Sequence, residues 1–442
     1  MVEQELQRVG RSIHAAVPTR PRHPLRALDV KAMEMASGDQ ELRAALFRFV
    51  DVTPACTSLE DLARHLTAYL DEVDERPPPL AAAMRMSQNK AGRAALGAAA
   101  AAGVRHMAHR FIVGETPHAA LRSLRHLWEH GAAVSLDLLG EATVTQPEAD
   151  RYAARCLDAL ETLAGATPGW PARPVLEHDS LGTVPRVNVS VKVSALSPLL
   201  RPEAPDVGRE DAARRMRPLL LRAKELGAHL HIDMESVDTL EATMQLVFDL
   251  LDEPELRDGP STGIVLQAYL RESPDQLEQV LTWAASAKRE PPLVVRLVKG
   301  AYWDHEVVEA RQHGWTPPVF EHKAESDRNF EQLTRRLLEG WPHVRPAIAS
   351  HNLRSVAHAV AANRAAARAD GDVELQVLRG LGADLAAAVG EQGMRVRIYC
   401  PVGDMVAGMA YLVRRLLENT ANESFLSDLQ RGTPVEQLLA AP

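Results

Sequence analysis

The chain is predicted to fold as a (β/α)8 barrel, of the TIM-barrel class, preceded by a helical N-terminal segment. Three observations predict this. Eight short apolar runs recur between residues 133 and 402, segments of helical spacing separate them, and nearly every run ends in a polar or charged residue. Strands alternating with helices imply βαβ units and a parallel sheet. Eight such units in this span suit a closed barrel better than an open sheet, and barrel enzymes place their chemistry at the C-terminal strand ends.

The eight runs are 133–141, 187–196, 229–236, 263–269, 293–303, 345–352, 374–382 and 396–403. Apolar residues spaced by three and four predict helices at 147–165, 209–226, 240–253, 274–288, 329–340 and 354–368, and a last one at 404–422. Upstream, 42–52 and 59–73 read as helices, the second capped by Ser58. Arg76-Pro77-Pro78-Pro79 reads as a linker, 80–112 as a further helical stretch, and the Pro/Gly-rich segment 167–186 as a surface loop. The expected division is a helical arm over 1–112 and a barrel over 113–442 with a C-terminal lid helix.

Composition narrows the function. Of the 442 residues 46% are hydrophobic, enough for a sizeable core, and the net charge of −9 is interspersed by sign. No basic footprint for nucleic acid appears. The three cysteines are odd in number and far apart, without a CxxC pair, so no disulfide framework or zinc ribbon is expected. No apolar stretch is long enough to span a membrane and the N-terminus lacks a signal-peptide core, so a cytoplasmic protein is expected.

The strand ends carry Asp137, Glu141, Lys192, Asp233, Glu235, Gln267, Lys299, His351 and Asn352. Lys192, inside an apolar strand, reads as a Schiff-base lysine, a fixed cation for a substrate anion, or a strand-end surface lysine. Arg414 and Arg415 read either as two guanidinium forks for a carboxylate or as a solvated face, with Tyr411/Arg415 and Arg414/Glu418 each four apart. His231, Asp233 and Glu235 share one strand face, which His351 could join; a buried structural histidine is the plainer reading, and no metal is expected. Gly380 and Gly382 form a strand-to-helix loop able to cradle a phosphate, though the glycine pattern is incomplete. In KGAYWD (299–304), Lys299, Gly300, Ala301 and Trp303 suit a nucleotide cofactor; the alternative is a packed Trp beside an exposed Lys.

Eight blocks in order resemble the proline dehydrogenase family: DLLGEA (137–142), VSVKVSAL (189–196), IDMES (232–236), VLQAYL (265–270), VRLVKGAYWD (295–304), ASHN (349–352), RIYCPVG (397–403) and YLVRRLLEN (411–419). The likeness covers residues 133 to 425. It implies a distorted barrel with FAD at the strand C-termini and a final helix over the pocket. The helical segment resembles the arm of bifunctional proline utilisation enzymes, and no aldehyde dehydrogenase or DNA-binding part is expected.

The resemblance implies that Lys192, Arg414 and Arg415 hold the proline carboxylate, with Asp137 also at the substrate, and that Tyr399, Tyr411 and Leu378 wall the ring. It makes Asp233 the partner orienting Lys192 and Glu141 an ion-pair partner of Arg414. Asp233, Gln267, Arg296, Val298, Lys299, Gly300, Ala301, Trp303, Lys323, Ser350, His351, Asn352, Gln376, Leu378, Arg415 and Glu418 correspond to positions around FAD. Glu321, His322 and Arg379 depart from related sequences. The implied reaction is hydride transfer from L-proline to flavin N5, giving 1-pyrroline-5-carboxylate, the first step of proline catabolism. A quinone is the expected acceptor, reached by peripheral contact at the inner face of the membrane, and a separate 1-pyrroline-5-carboxylate dehydrogenase the expected partner. A lysine-dependent aldolase, a metal hydrolase or a proline-sensing module are the alternatives.

Overall fold

Each of the eight apolar runs forms one strand of a closed parallel barrel: β1 (Ala133–Leu138), β2 (Asn188–Lys192), β3 (His229–Asp233), β4 (Ser261–Gln267), β5 (Leu293–Val298), β6 (Val344–Ala349), β7 (Glu374–Leu378) and β8 (Val396–Val402). Each pairs with its sequence neighbours, and β8 returns to β1. The structure is a computed structural model that describes residues 2–17, 39–74, 77–140, 142–404, 408 and 433–442.

Side chains alternate across each strand. One set, including Val189, Val191, Leu230, Ile232, Val295 and Leu297, is fully buried in the main hydrophobic cluster beneath the surrounding helices. Burying such a side chain contributes roughly 1.5–3 kcal/mol. The other set points into the barrel and is largely polar: Ser135, Asn188 and Ser190 hydrogen-bond across strands, and Arg296 reaches Asp233, Gln376 and Ser190. The barrel interior is therefore a charged and hydrogen-bonded lattice, with its apolar core outside the sheet.

Local signals place the helices. Ser58 accepts Asp61 N–H at 3.1 Å to cap Leu59–Asp71. Glu148 accepts Thr145 N–H at 3.0 Å at the start of Gln146–Ala166. The proline run opens the helix Pro78–Met86, because proline is tolerated in a first helical turn. The stretch expected over 80–112 is two helices, Pro78–Met86 and Lys90–Phe111, the second capped by Asn89 at 2.8 Å from Gly92 N.

The N-terminal helices pack in two groups. Val2–Ala16 lies against Leu353–Ala365; Leu6 and Ile13 join the main cluster, and Arg354 bonds Glu3 at 3.0 Å. The helices between 40 and 111 form a second cluster around Leu42, Phe49, Leu70 and Phe111.

The expectation of a surface loop at 167–186 is corrected. Trp170 and Leu176 are buried, and a hairpin pairing 178–179 with 182–183 carries Asp179 to Arg345 and Arg395, each at 3.1 Å. Burial of the Asp179 carboxylate between two guanidiniums decides the path of this segment. Among the described residues no helix is long and apolar enough to cross a membrane.

Candidate active site

At the C-terminal end of the barrel, the ends of β1, β2 and β3 bring one cation between two carboxylates. Lys192 Nζ hydrogen-bonds the Asp137 carboxylate and lies 3.8 Å from Asp233. The register aligns Lys192 with Asp233 on neighbouring strands. Burial opposes the charge on Lys192, but Asp137 and Asp233 together outweigh it and raise its pKa above the ordinary lysine range. A raised pKa makes Lys192 a fixed cation and a poor amine nucleophile, which disfavours Schiff-base chemistry. The partner expected to orient Lys192 was Asp233; Asp137 takes the hydrogen bond instead, because both Asp233 oxygens are engaged elsewhere. Asp233 Oδ1 accepts Arg296 Nη1 at 2.7 Å, and Oδ2 accepts the Tyr399 hydroxyl at 2.7 Å.

Arg296 is the hub below this layer. Its Nε donates to Gln376 Oε1 at 2.7 Å, and its guanidinium lies 5.2 Å from the Tyr399 ring centre. Tyr399 stays a phenol: burial, with Asp137 and Asp233 nearby, pushes its pKa far up. On β4, Gln267 Nε2 donates to Glu235 O at 3.0 Å, while its buried Oε1 has no partner.

The loop after β5 is shaped by Gly300, whose φ of 137° and the Tyr269 ring 2.3 Å from an added Cβ exclude a side chain. Ala301 follows in the same bend, Val298 ends β5 half-buried, and Trp303, 38% exposed, donates its indole N–H to Phe320 O at 2.8 Å. Burial lowers the Lys299 pKa although Asp327 opposes the shift; Asp327 bonds both Lys299 and Lys323, the latter at 2.8 Å. After β6, Ser350 Oγ accepts Asn352 N–H at 3.1 Å, Asn352 Oδ1 caps the next helix, and His351 Nε2 accepts Leu378 N–H at 2.9 Å. That last bond joins the β6 loop to the end of β7 beside Gly380 and Gly382. Gly382 packs so tightly on Val377 that a Cβ would approach it to 2.4 Å.

His231 lies inside the barrel with Nδ1 3.1 Å from His229 Nε2, and burial holds both rings far below the usual histidine range. Glu141, Tyr411, Arg414, Arg415 and Glu418, expected at the substrate and the cofactor, lie outside the described residues.

A family model for proline dehydrogenase matches residues 120–428. The chain belongs to the proline dehydrogenase family. A model for the proline utilization A N-terminal domain matches residues 3–111. Bifunctional protein PutA of Escherichia coli (strain K12) is 34% identical over 350 residues, 77% of this chain and 25% of that protein. Proline dehydrogenase 1 of Bacillus subtilis (strain 168) is 28% identical over 331 residues, 74% of this chain and 92% of that protein. The crystal structure of PutA from Bdellovibrio bacteriovorus inactivated by N-propargylglycine matches with a TM-score of 0.91 at 33% identity, covering 100% of this chain and 44% of that one. The chain spans about a quarter of the length of the curated bifunctional relatives.

Within this proline dehydrogenase fold, sequence reasoning missed two participants. Asp327 holds both lysines of the cofactor expectation, and its spacing of four from Lys323 on one helix was the available signal. Tyr152, whose hydroxyl accepts Lys192 N–H at 3.2 Å, reaches the site from a flanking helix and left no local signal.

Proposed function

We propose that this protein oxidises L-proline to 1-pyrroline-5-carboxylate with bound FAD and passes the electrons to a quinone. The observation that carries this reading is Lys192 held between Asp137 and Asp233 at the barrel mouth, directly above Arg296. A permanently charged, oriented ammonium suits a carboxylate ligand, and the family supplies the substrate class.

FAD fits the described residues. Gln267 offers a buried, unsatisfied acceptor at the β4 end. Gly300 lets the backbone approach a flat ligand, and Lys299 and Lys323 stand on the same side, bridged by Asp327. In this reading Gln267, Arg296, Val298, Lys299, Gly300, Ala301, Trp303, Lys323, Ser350, His351, Asn352 and Gln376 hold the cofactor. Bound FAD supplies the two-electron acceptor for the hydride leaving the ring carbon beside nitrogen.

The chain's own residues bind and orient. In this reading Lys192, with Arg414 and Arg415, takes the proline carboxylate; Tyr399 and Leu378, with Tyr411, wall the ring; and Glu141 is the proposed partner of Arg414. The positive charge around the substrate favours loss of the amine proton, so that the neutral amine reacts. Asp233 holds Tyr399 and Arg296 in one geometry, so less ordering is needed on binding.

The test is an absorption spectrum of the purified protein before and after anaerobic L-proline. Flavin absorbance bleached by L-proline is expected. A protein that neither carries nor takes up FAD would falsify the proposal.

A further inference from the structure

The opposite end of the barrel holds a second polar site, closed off from the mouth by the Arg296 layer. Here Arg345 at the start of β6, Arg395 just before β8 and Arg397 on β8 surround Asp179 and Glu374, and all three arginines are at most 3% exposed. They line a cavity that admits a water-sized sphere over about 20 Å³, together with His231 and Asn188. A space of this size holds one water or one monatomic ion.

The hydrogen bonds leave a one-sided remainder. Arg397 is satisfied, by Glu374 at 2.7 and 3.0 Å and by Val134 O at 2.8 Å. Arg345 meets Asp179 through Nη2 and Nε, each at 3.1 Å, and Arg395 meets Asp179 through Nη1 at 3.1 Å with its Nε 3.5 Å from Glu374. Arg345 Nη1 and His231 Nε2 are buried without a hydrogen-bond partner, while Arg345 Nε and Arg395 Nε meet carboxylate oxygens at ion-pair distance without a well-aligned hydrogen bond. The guanidinium atoms among these can only donate. Three guanidiniums face two carboxylates, so the floor carries one uncompensated positive charge. Glu374 stays ionised and keeps its share of the compensation: burial opposes its charge, but Arg397 and Arg395 outweigh it and hold its pKa at about 2. The two histidines stay neutral.

A buried, uncompensated guanidinium is costly, and a cluster of donors calls for an acceptor of several hydrogen bonds. Water would satisfy single N–H groups and leave the charge. We propose that the barrel floor binds a single halide-sized anion, chloride under ordinary conditions, at the unpartnered Arg345 Nη1 and His231 Nε2, beside the Arg395 guanidinium. The hairpin carrying Asp179 closes the site from below, which makes the ion a structural counter-charge placed away from the mouth.

The test uses the full chain, purified throughout in sodium bromide, sodium chloride or sodium gluconate at equal ionic strength. Crystals from bromide are expected to show an anomalous peak within hydrogen-bond reach of Arg345 and His231. Either halide should raise Tm over gluconate by about 2 °C or more, by mass action on the folded state. In Arg345→Met the halide dependence should vanish, since the floor is then neutral. A bromide map showing no anomalous peak there, only water, overturns the proposal, as does equal melting in all three salts. Should Arg345→Met fail to fold, the bromide map of the unmodified protein decides alone.

Discussion

Asp233 Oδ2 accepts the Tyr399 hydroxyl at 2.7 Å, tying the end of β3 to β8 across the barrel interior. The other Asp233 oxygen is held by Arg296, so one carboxylate fixes both the aromatic wall and the guanidinium beneath it.

Tyr399→Phe keeps the ring and removes the tether. A hydrogen bond to a charged group is worth about 1.5–3 kcal/mol, so kcat/KM for proline should fall by about tenfold or more. Flavin content should stay at the parent level. Steady-state kinetics with a dye acceptor check this, and parental kcat/KM would remove the tether from the function.

Lys192→Met leaves Asp137, 1% exposed, and Asp233 facing each other without their cation. Removing one partner of a buried ion pair costs about 3–5 kcal/mol. Tm should drop and the proline KM rise steeply, whereas Asp137→Asn, which keeps a hydrogen-bond acceptor, should be milder on both. Because the carboxylates hold the Lys192 pKa above its usual value, deprotonation of Lys192 should not weaken proline binding below about pH 10. A binding titration against pH measures this directly.

Gly300→Ala forces a side chain onto a φ of 137° and into the Tyr269 ring. Backbone strain of this kind costs on the order of 1–3 kcal/mol. The variant should purify with a lower flavin-to-protein ratio and a lower Tm. Full flavin occupancy with unchanged melting would show that this loop does not meet the cofactor.

Acid should destabilise the fold well before the carboxylates titrate. Burial lowers the pKa of His229 to about 3 and that of His358 to about 4. The unfolded chain binds protons on these rings below about pH 6.5 while the folded chain does not, so stability falls as pH falls from there. Each ring contributes up to ~1.4 kcal/mol per pH unit. The loss should begin near pH 6.5 and run down to about 4 for His358 and about 3 for His229. Glu374, with a folded pKa of about 2, adds its loss only below about pH 4.5. Urea midpoints at pH 7, 6 and 5 should decline, less steeply in His358→Gln; parallel curves for the two proteins would sink the assignment to His358.

The sequence by itself determined the eight strands and their order, because each is a short apolar run set between amphipathic helices. It also brought the strand-end residues to one rim, since parallel strands all end on the same side. Ser58 was legible as a cap for a similar reason: a cap acts within four residues of itself. Which face of each strand turned inward was decided only by tertiary structure, where covering helices took the Val/Leu/Ile face and left Arg296, His231 and Glu374 inside. Partner choice was decided there too. Asp137, not Asp233, takes the Lys192 hydrogen bond from 55 residues away, and Asp179 meets Arg345 across 166 residues. Such pairings depend on strand register, barrel tilt and the desolvation of each charge, which come into being only when distant segments close on one another.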